Sequence, residues 1–327
     1  MTVLCLVEPD GAAVADVSRR ALTFARALAA PVGGEVAAVW FGAAGGVPVG
    51  DLSAYGAGDA YAVESPQLTG YAPQAWARAL AGLADEVSAT AVVAAATDRG
   101  SEVMAHLGAI TGLPVAANCV SAAPGGPAEP AGFRLVRQRW AGSLLEDSLL
   151  EAPRALLTVA ADAVAPAPAQ APAVPNVRAR RPVLDETDLR VQAVESAERA
   201  AGASLATARV VVGGGRGVGG PEGFGVLEEL AGLLGGVVGV SRVVTSEGWR
   251  PHRQQVGQTG TRITPEVYLA CGISGAIQHM AGCASAKHIV VVNTDPSAPI
   301  LSRADYAVIG DLAEVIPALV AALKERA

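Results

Sequence analysis

The stretch Ala208-Arg209-Val210-Val211-Val212-Gly213-Gly214-Gly215-Arg216-Gly217-Val218-Gly219-Gly220 runs a β-branched segment straight into a glycine-rich turn. Consecutive valines favour a buried strand, and glycine lets the backbone turn sharply or approach another group closely. Alternation continues downstream, with a helix expected over 222–234, a strand over 236–242 and, after a long loop, a strand at Val267-Tyr268-Leu269-Ala270-Cys271. A helix from Ser274, a strand at Ile289-Val290-Val291-Val292-Asn293 and a last helix from Asp311 complete the series. Strands that alternate with helices build a doubly wound parallel sheet, whose ligand crevice lies beyond the carboxyl ends of the strands.

Within that turn Gly215-x-Gly217-x-x-Gly220 has the spacing of a dinucleotide-binding loop, in which the backbone approaches a pyrophosphate. An NAD enzyme also needs an acid at the end of the next strand to hold the ribose, and Ser241-Arg242 stands there instead. No GxxxxGK[ST] loop is present, which removes a Walker-type ATPase.

Upstream, residues 2–7 and 34–41 read as buried strands around a helix over 14–30, where Val14, Val17, Ala21, Phe24, Ala25 and Leu28 share one face. A helix over 72–87 leads to the strand Ala91-Val92-Val93-Ala94-Ala95-Ala96. The next helix begins near Ser101, its N-cap candidate, and is stopped by Gly112 and Pro114. Residues 132–160 turn strand-like, the Pro- and Ala-rich 162–175 reads as a loop, and 178–195 returns to alternation. The expectation is an α/β protein of two domains. An N-terminal parallel-sheet α/β domain covers 1–200 and a C-terminal doubly wound domain covers 201–327, with the boundary near residue 200.

The net charge of -7 and the presence of Lys287 and Lys324 as the only lysines argue against a nucleic-acid partner, which needs clustered cations to displace counterions. The basic group Arg134, Arg137 and Arg139 beside Trp140 reads as a strand face or subunit contact rather than an RNA patch. The first residues lack the basic n-region of a signal peptide, and no apolar run reaches the ~18 residues of a membrane span, so no membrane insertion is expected. Cys5, Cys119, Cys271 and Cys283 show no CxxC spacing and fit reduced thiols in a cytoplasmic protein. His106, His252, His279 and His288 form no HExxH pair, so no metal site is expected.

The most distinctive text is Gln255-Val256-Gly257-Gln258-Thr259-Gly260, followed by Gly272-Ile273-Ser274-Gly275-Ala276-Ile277-Gln278-His279. With the Gly-Arg-Gly turn, Ser241-Arg242 and Asn293-Thr294-Asp295-Pro296-Ser297-Ala298-Pro299-Ile300, it closely resembles the C-terminal domain of electron-transfer flavoprotein α subunits. The resemblance is dense from Arg209 onward and patchy before it. There Ala94 to Gly100 and Arg137-Gln138-Arg139-Trp140-Ala141-Gly142-Ser143 look like family segments, with departures at Trp140, Ser143, Ala117-Asn118-Cys119 and Ser246. Such departures suit a paralogue serving one particular dehydrogenase.

The resemblance implies FAD as cofactor, a β subunit as partner docking on the N-terminal domain, and no substrate chemistry of the chain's own. It implies electrons taken singly from dehydrogenases of the acyl-CoA type, as in fatty acid β-oxidation, and passed to a quinone-linked acceptor. It implies FAD contacts at Arg216, Ser241, Arg242, Val256, Gly257, Gln258, Thr259, Ser274, Gly275, Ala276, Ile277, Gln278, His279, Asn293, Asp311 and Leu312. In the family's pattern Arg242 packs on the isoalloxazine, Thr259 donates toward its N5, and His279 stands near its N1 and C2 carbonyl. Ser274-Gly275 opening a helix would offer amides to the pyrophosphate, and Asp311 would hold hydroxyls at the adenosine end. Two other readings stay open: a flavin or pyridine-nucleotide oxidoreductase with a small substrate over the cofactor, and a nucleotide-binding module without redox chemistry. Against the first, no acid/base pair or Cys–His nucleophile stands near the motifs.

Overall fold

A computed structural model of the protein describes residues 1–126, 132–142, 144–160, 163–172, 174–193, 205 and 207–326. The chain divides into two compact units, Met1–Ala197 and Glu198–Ala327. The expected boundary near residue 200 lies outside the described residues.

The N-terminal unit opens with β1 (Thr2–Val7), the hairpin β2 (Pro9–Asp10) and β3 (Ala13–Val14), α1 (Asp16–Ala29), β4 (Glu35–Phe41), α2 (Val49–Ala54) and β5 (Asp59–Val63). It continues through α3 (Pro73–Glu86), β6 (Ala91–Ala95), α4 (Asp98–Thr111), β7 (Val115–Pro124), β8 (Gly132–Arg139), β9 (Leu144–Glu151), β10 (Ala155–Val159) and β11 (Asn176–Arg180). Nine of these strands form one sheet in the order β11-β5-β4-β1-β6-β10-β7-β8-β9. It is parallel from β11 to β7 and antiparallel from β7 to β9. Side chains alternate across it: Val3, Cys5 and Val7 meet Leu22, Phe24 and Leu28 of α1, whereas Leu4 and Leu6 meet Trp76 and Leu80 of α3 and Met104 and Leu107 of α4. Covered on both faces, the central strands carry unbroken apolar runs, as parallel strands must.

The C-terminal unit runs β12 (Val210–Gly214), α5 (Phe224–Leu233), β13 (Val237–Val240), α6 (Arg242–Ser246), β14 (Val267–Cys271), α7 (Ile277–Cys283), β15 (His288–Asn293), β16 (Tyr306–Ile309) and α8 (Leu312–Arg326). Its five strands are all parallel, in the order β13-β12-β14-β15-β16. Val211, Tyr268, Ala270 and Val291 face one layer with Ile273, Cys283 and Ile300. Val212, Leu269, Cys271 and Val292 face the other, with Phe224 and Leu227 of α5 and Ile316 and Val320 of α8. The chain therefore winds to both sides, and the strand order reverses between β12 and β14, the place where doubly wound sheets bind ligands.

Several local expectations shift. Thr97, not Ser101, caps α4: its Oγ1 accepts the Gly100 N–H at 2.9 Å and Asp98 adds a carboxylate to the first turn. The strand expected over 236–242 stops at Val240, so Arg242 is the first residue of α6. The helix expected from Ser274 starts at Ile277, because Gly275 sits in the left-handed region at φ 84° and cannot continue one. Of the stretch 178–195 expected to alternate, the described residues place only 178–180 in a strand, the end of the edge strand β11. Within 162–175 the described residues form neither helix nor strand, as expected. All four cysteines are buried free thiols. No helix among the described residues is long and apolar enough to cross a membrane.

Candidate cofactor site

Every stretch singled out in the C-terminal sequence falls at or just beyond the carboxyl end of a parallel strand, except the 255–260 loop. Arg216 follows β12, Ser241 and Arg242 follow β13, Ser274 to His279 follow β14, Asn293 ends β15, and Asp311 and Leu312 follow β16. The 255–260 loop joins them because Val256 N–H donates to the Val240 carbonyl at 2.8 Å, and Gln258 N–H to the Gln278 carbonyl at 2.7 Å. A ligand crevice belongs along this edge.

Glycine builds that edge by letting backbones touch. A Cβ on Gly215 would lie 2.2 Å from the Gly272 carbonyl oxygen, and one on Gly217 would lie 2.7 Å from the Gly272 Cα. The N–H groups of Gly215 and Gly217 donate to the carbonyls of Cys271 and Gly272 at 2.9 and 3.1 Å. The two glycines of the dinucleotide-like spacing thus pack the loop after β12 onto the loop after β14, and their own N–H groups are engaged there. Likewise a Cβ on Gly282 of α7 would meet the Gly257 Cα at 2.3 Å, which presses the 255–260 loop onto that helix.

Arg242, Thr245, Ser246, His252, Gln255 and Thr259 line a cleft of about 300 Å³. Arg242 is exposed there, and its guanidinium makes no ion pair or hydrogen bond among the described residues. Gln255 is buried beneath the cleft. Its Oε1 accepts from Thr245 Oγ1 at 2.6 Å and its Nε2 donates to Thr259 Oγ1 at 3.0 Å. Thr245, Ser246, His252 and Gln255 line the cleft but were not among the contacts expected from the sequence. Thr245 stands three positions after Arg242 on α6, a spacing that puts both on one helix face, while Gln255 opens the hexamer quoted above and could have been taken with it.

The loop after β14 offers a run of unused donors. The N–H groups of residues 274–278 meet no protein acceptor among the described residues, and Ser274, Ala276, Ile277 and Gln278 are exposed. Gly275 is buried against Ile300, and the Ser274 carbonyl accepts the Ile300 N–H at 3.1 Å, which holds the turn in place. Arg216 is exposed on its own turn, with no ion pair among the described residues. Leu312 packs close to Gly272.

Three expected contacts look different in the structure. Asn293 is buried and already engaged on both sides: Nδ2 donates to the Ile273 carbonyl at 2.9 Å and Oδ1 accepts the Asp295 N–H at 3.1 Å. It stitches the loops after β14 and β15 together. Asp311 is exposed and caps α8 with one oxygen, Oδ1 accepting the Ala313 N–H at 2.9 Å, which leaves Oδ2 open. His279 is buried, with Nε2 2.8 Å from the Tyr268 hydroxyl and Nδ1 enclosed without a hydrogen-bond partner. Burial pushes its imidazole down to about 4, opposed only in part by the Val256 backbone, so the ring is neutral near pH 7. Neither nitrogen of His279 opens onto the cleft.

An unpaired cation, an exposed hydroxyl that already accepts inside the protein, and a run of free amides on one sheet edge fit a large anionic cofactor with a polar aromatic ring. The comparisons with known proteins agree. Residues 204–284 match the family model described as the electron transfer flavoprotein FAD-binding domain, and residues 3–183 match that of the electron transfer flavoprotein domain. An electron transfer flavoprotein subunit alpha of Mycobacterium tuberculosis is 40% identical over 326 residues, covering 99% of this chain and 98% of that one. One from Thermoanaerobacterium thermosaccharolyticum is 35% identical over 284 residues, covering 84% and 83%. Protein FixB of Clostridium saccharobutylicum is 32% identical over 276 residues, covering 84% and 82%. The chain belongs to the electron transfer flavoprotein α-subunit family, and its C-terminal unit carries that family's FAD-binding domain.

Proposed function

We propose that this chain holds FAD along the carboxyl edge of its C-terminal sheet and relays electrons singly from acyl-CoA-type flavoprotein dehydrogenases to a quinone-linked membrane acceptor. Electron transfer flavoprotein α subunits pair with a β subunit. We assign that contact to the N-terminal domain, residues 1–200, and cofactor binding to residues 201–327. The relay is placed in the cytoplasm and in fatty acid β-oxidation.

When bound, FAD supplies a redox centre that takes up and releases electrons one at a time. The chain's own residues hold and tune it. The free N–H groups of residues 274–278 suit the diphosphate, with Arg216 adding charge on the neighbouring turn. Asp311 Oδ2 suits ribose hydroxyls, with Ser241, Val256, Gly257, Gln258 and Leu312 as backbone and packing contacts. Thr259 offers its hydroxyl proton to a ring acceptor, and Asn293 acts by holding the loops that bind rather than by touching the cofactor. His279 serves as a neutral group behind the 255–260 loop.

The observation that carries this reading is the unpaired guanidinium of Arg242 at the cleft. A cation about 5 Å from a charge developing on the ring interacts by roughly 3 kcal/mol at an effective dielectric near 20, which corresponds to about 120 mV for a one-electron couple. A neutral donor such as Thr259 contributes about 0.5–1.5 kcal/mol. Arg242 therefore dominates the potential. In an Arg242→Ala complex that retains FAD, spectroelectrochemical titration should show the one-electron potentials falling by about 120 mV; a change within about 20 mV of wild type contradicts the assignment.

A further inference from the structure

We propose that Gln255 is a positioning residue: its buried amide fixes the polarity of Thr259, so that the threonine presents a hydroxyl proton to the cleft. The inference rests on the flavin reading above and extends it to a residue that touches no ligand itself. Gln255 is 2% exposed, and its backbone is pinned, the carbonyl accepting the Thr261 N–H at 2.7 Å. Its side chain spans two hydroxyls. Thr245 Oγ1 donates to Oε1 at 2.6 Å, and Nε2 donates to Thr259 Oγ1 at 3.0 Å.

A hydroxyl has one proton to give and two lone pairs to receive. Thr259 receives from Gln255 and has no other partner among the described residues, while the residue itself is exposed. Its proton is therefore unused by the protein and available to a ligand acceptor. Turned the other way, the same amide would place Oε1 against Thr259 and draw that proton inward, making Thr259 an acceptor toward the cleft. The orientation of one buried amide thus decides whether this wall of the cleft gives or takes a hydrogen bond.

The far end of the amide also reaches the helix turn that carries Arg242. Thr245 Oγ1 also lies 2.9 Å from the Arg242 carbonyl, so the network joins the first turn of α6 to the 255–260 loop. With its one proton given to Gln255 Oε1 over the shorter contact, Thr245 ties the amide to α6 and so limits how the groups at both ends move.

The test compares wild-type α–β complex with Gln255→Met, Thr259→Val and the double variant, reading the FAD dissociation constant and the visible flavin bands. Methionine keeps the length of glutamine and removes the N–H. Each single change should weaken FAD binding about fivefold and move the bands in the same direction. The double variant should be no weaker than the worse single, because both remove one shared interaction. Independent losses that multiply, or either single variant matching wild type, would overturn the inference. Gln255→Glu, of the same shape, covers the case where methionine disturbs the fold. Ionised at pH 8 it can only accept and should weaken FAD beyond Gln255→Met, with partial recovery as pH falls and the carboxyl can donate again; a pH-independent effect counts against a polarity role. FAD uptake with multiplying losses removes the inference alone, whereas a wild-type complex that takes up no FAD removes the flavin reading beneath it.

Discussion

In the N-terminal unit, arginines meet carboxylates and carbonyls of the same unit. Arg78 reaches the buried Asp188, Arg154 clasps the Ala84 and Ala89 carbonyls and Asp85, and Arg137 and Arg139 both pair with Glu146 across the β8–β9 ladder. In the C-terminal unit, Arg209, Arg250 and Lys324 are paired in the same way, but among the described residues several arginines make no ion pair, two of which, Arg216 and Arg242, stand at the carboxyl ends of adjacent strands. The glycines divide likewise. Gly11 turns a hairpin in open space at φ 60°, whereas Gly272, at φ 63°, holds two loops in backbone contact. The contrast is one of place: in the N-terminal unit these arginines are held by their own unit, whereas at the carboxyl edge of the C-terminal sheet two cations and a run of amides have no protein partner among the described residues where a ligand would lie.

The glycine contrast should give the largest stability effect. A side chain at Gly272 must displace the Gly217 backbone, so Gly272→Val should cost about 4 kcal/mol in urea unfolding and abolish FAD retention. Gly11→Ala pays only the left-handed strain, about 1 kcal/mol, with FAD untouched. Equal losses at the two sites would erase the distinction.

Acid should separate the units next. His279 has an unfolded value near 6.5 and a folded value of about 4, so on acidification the unfolded chain takes the proton first. This contribution to stability is constant above pH 6.5 and declines between pH 6.5 and pH 4, by about 3 kcal/mol in all. His279→Gln should flatten the pH dependence of unfolding of the C-terminal unit across that window, and an unchanged slope would mean the ring is solvated. A smaller effect is expected at Arg154, which is half-buried over the end of α3. Arg154→Met should lower stability by about 1–2 kcal/mol through lost bonds to the Ala84 carbonyl in the last turn of α3 and the Ala89 carbonyl just beyond it, while FAD binding stays at the wild-type level.

Much of this was legible from residue order. Apolar runs such as Val210 to Val212 and Ala91 to Ala95 marked central strands because parallel strands are buried on both faces, and helical spacing in 14–30 marked α1 to within two residues. The margins of the sheets, edge strands β11 and β16 and β5 next to an edge, were not legible. The strands β5, β11 and β16 are four or five residues long, too short for a repeat to declare itself, and every residue of β16 is exposed. Helix starts slipped where two candidate caps compete, as Thr97 and Ser101 do, or where a left-handed glycine such as Gly275 delays the first turn. Within the C-terminal unit, the motifs fall together on one edge of the sheet, but the bonds each residue makes depend on partners distant in sequence. Asn293 bonding to Ile273, Tyr268 to His279, and Gly215 against Gly272 are tertiary facts that no hexamer contains.

The account stands on the C-terminal sheet edge binding a flavin beside the unpaired Arg242. The direct measurement is the visible spectrum and FAD titration of this chain purified with its β subunit. Stoichiometric uptake giving a yellow complex with flavin absorbance is the predicted result; a folded, colourless complex that takes up no FAD would contradict it.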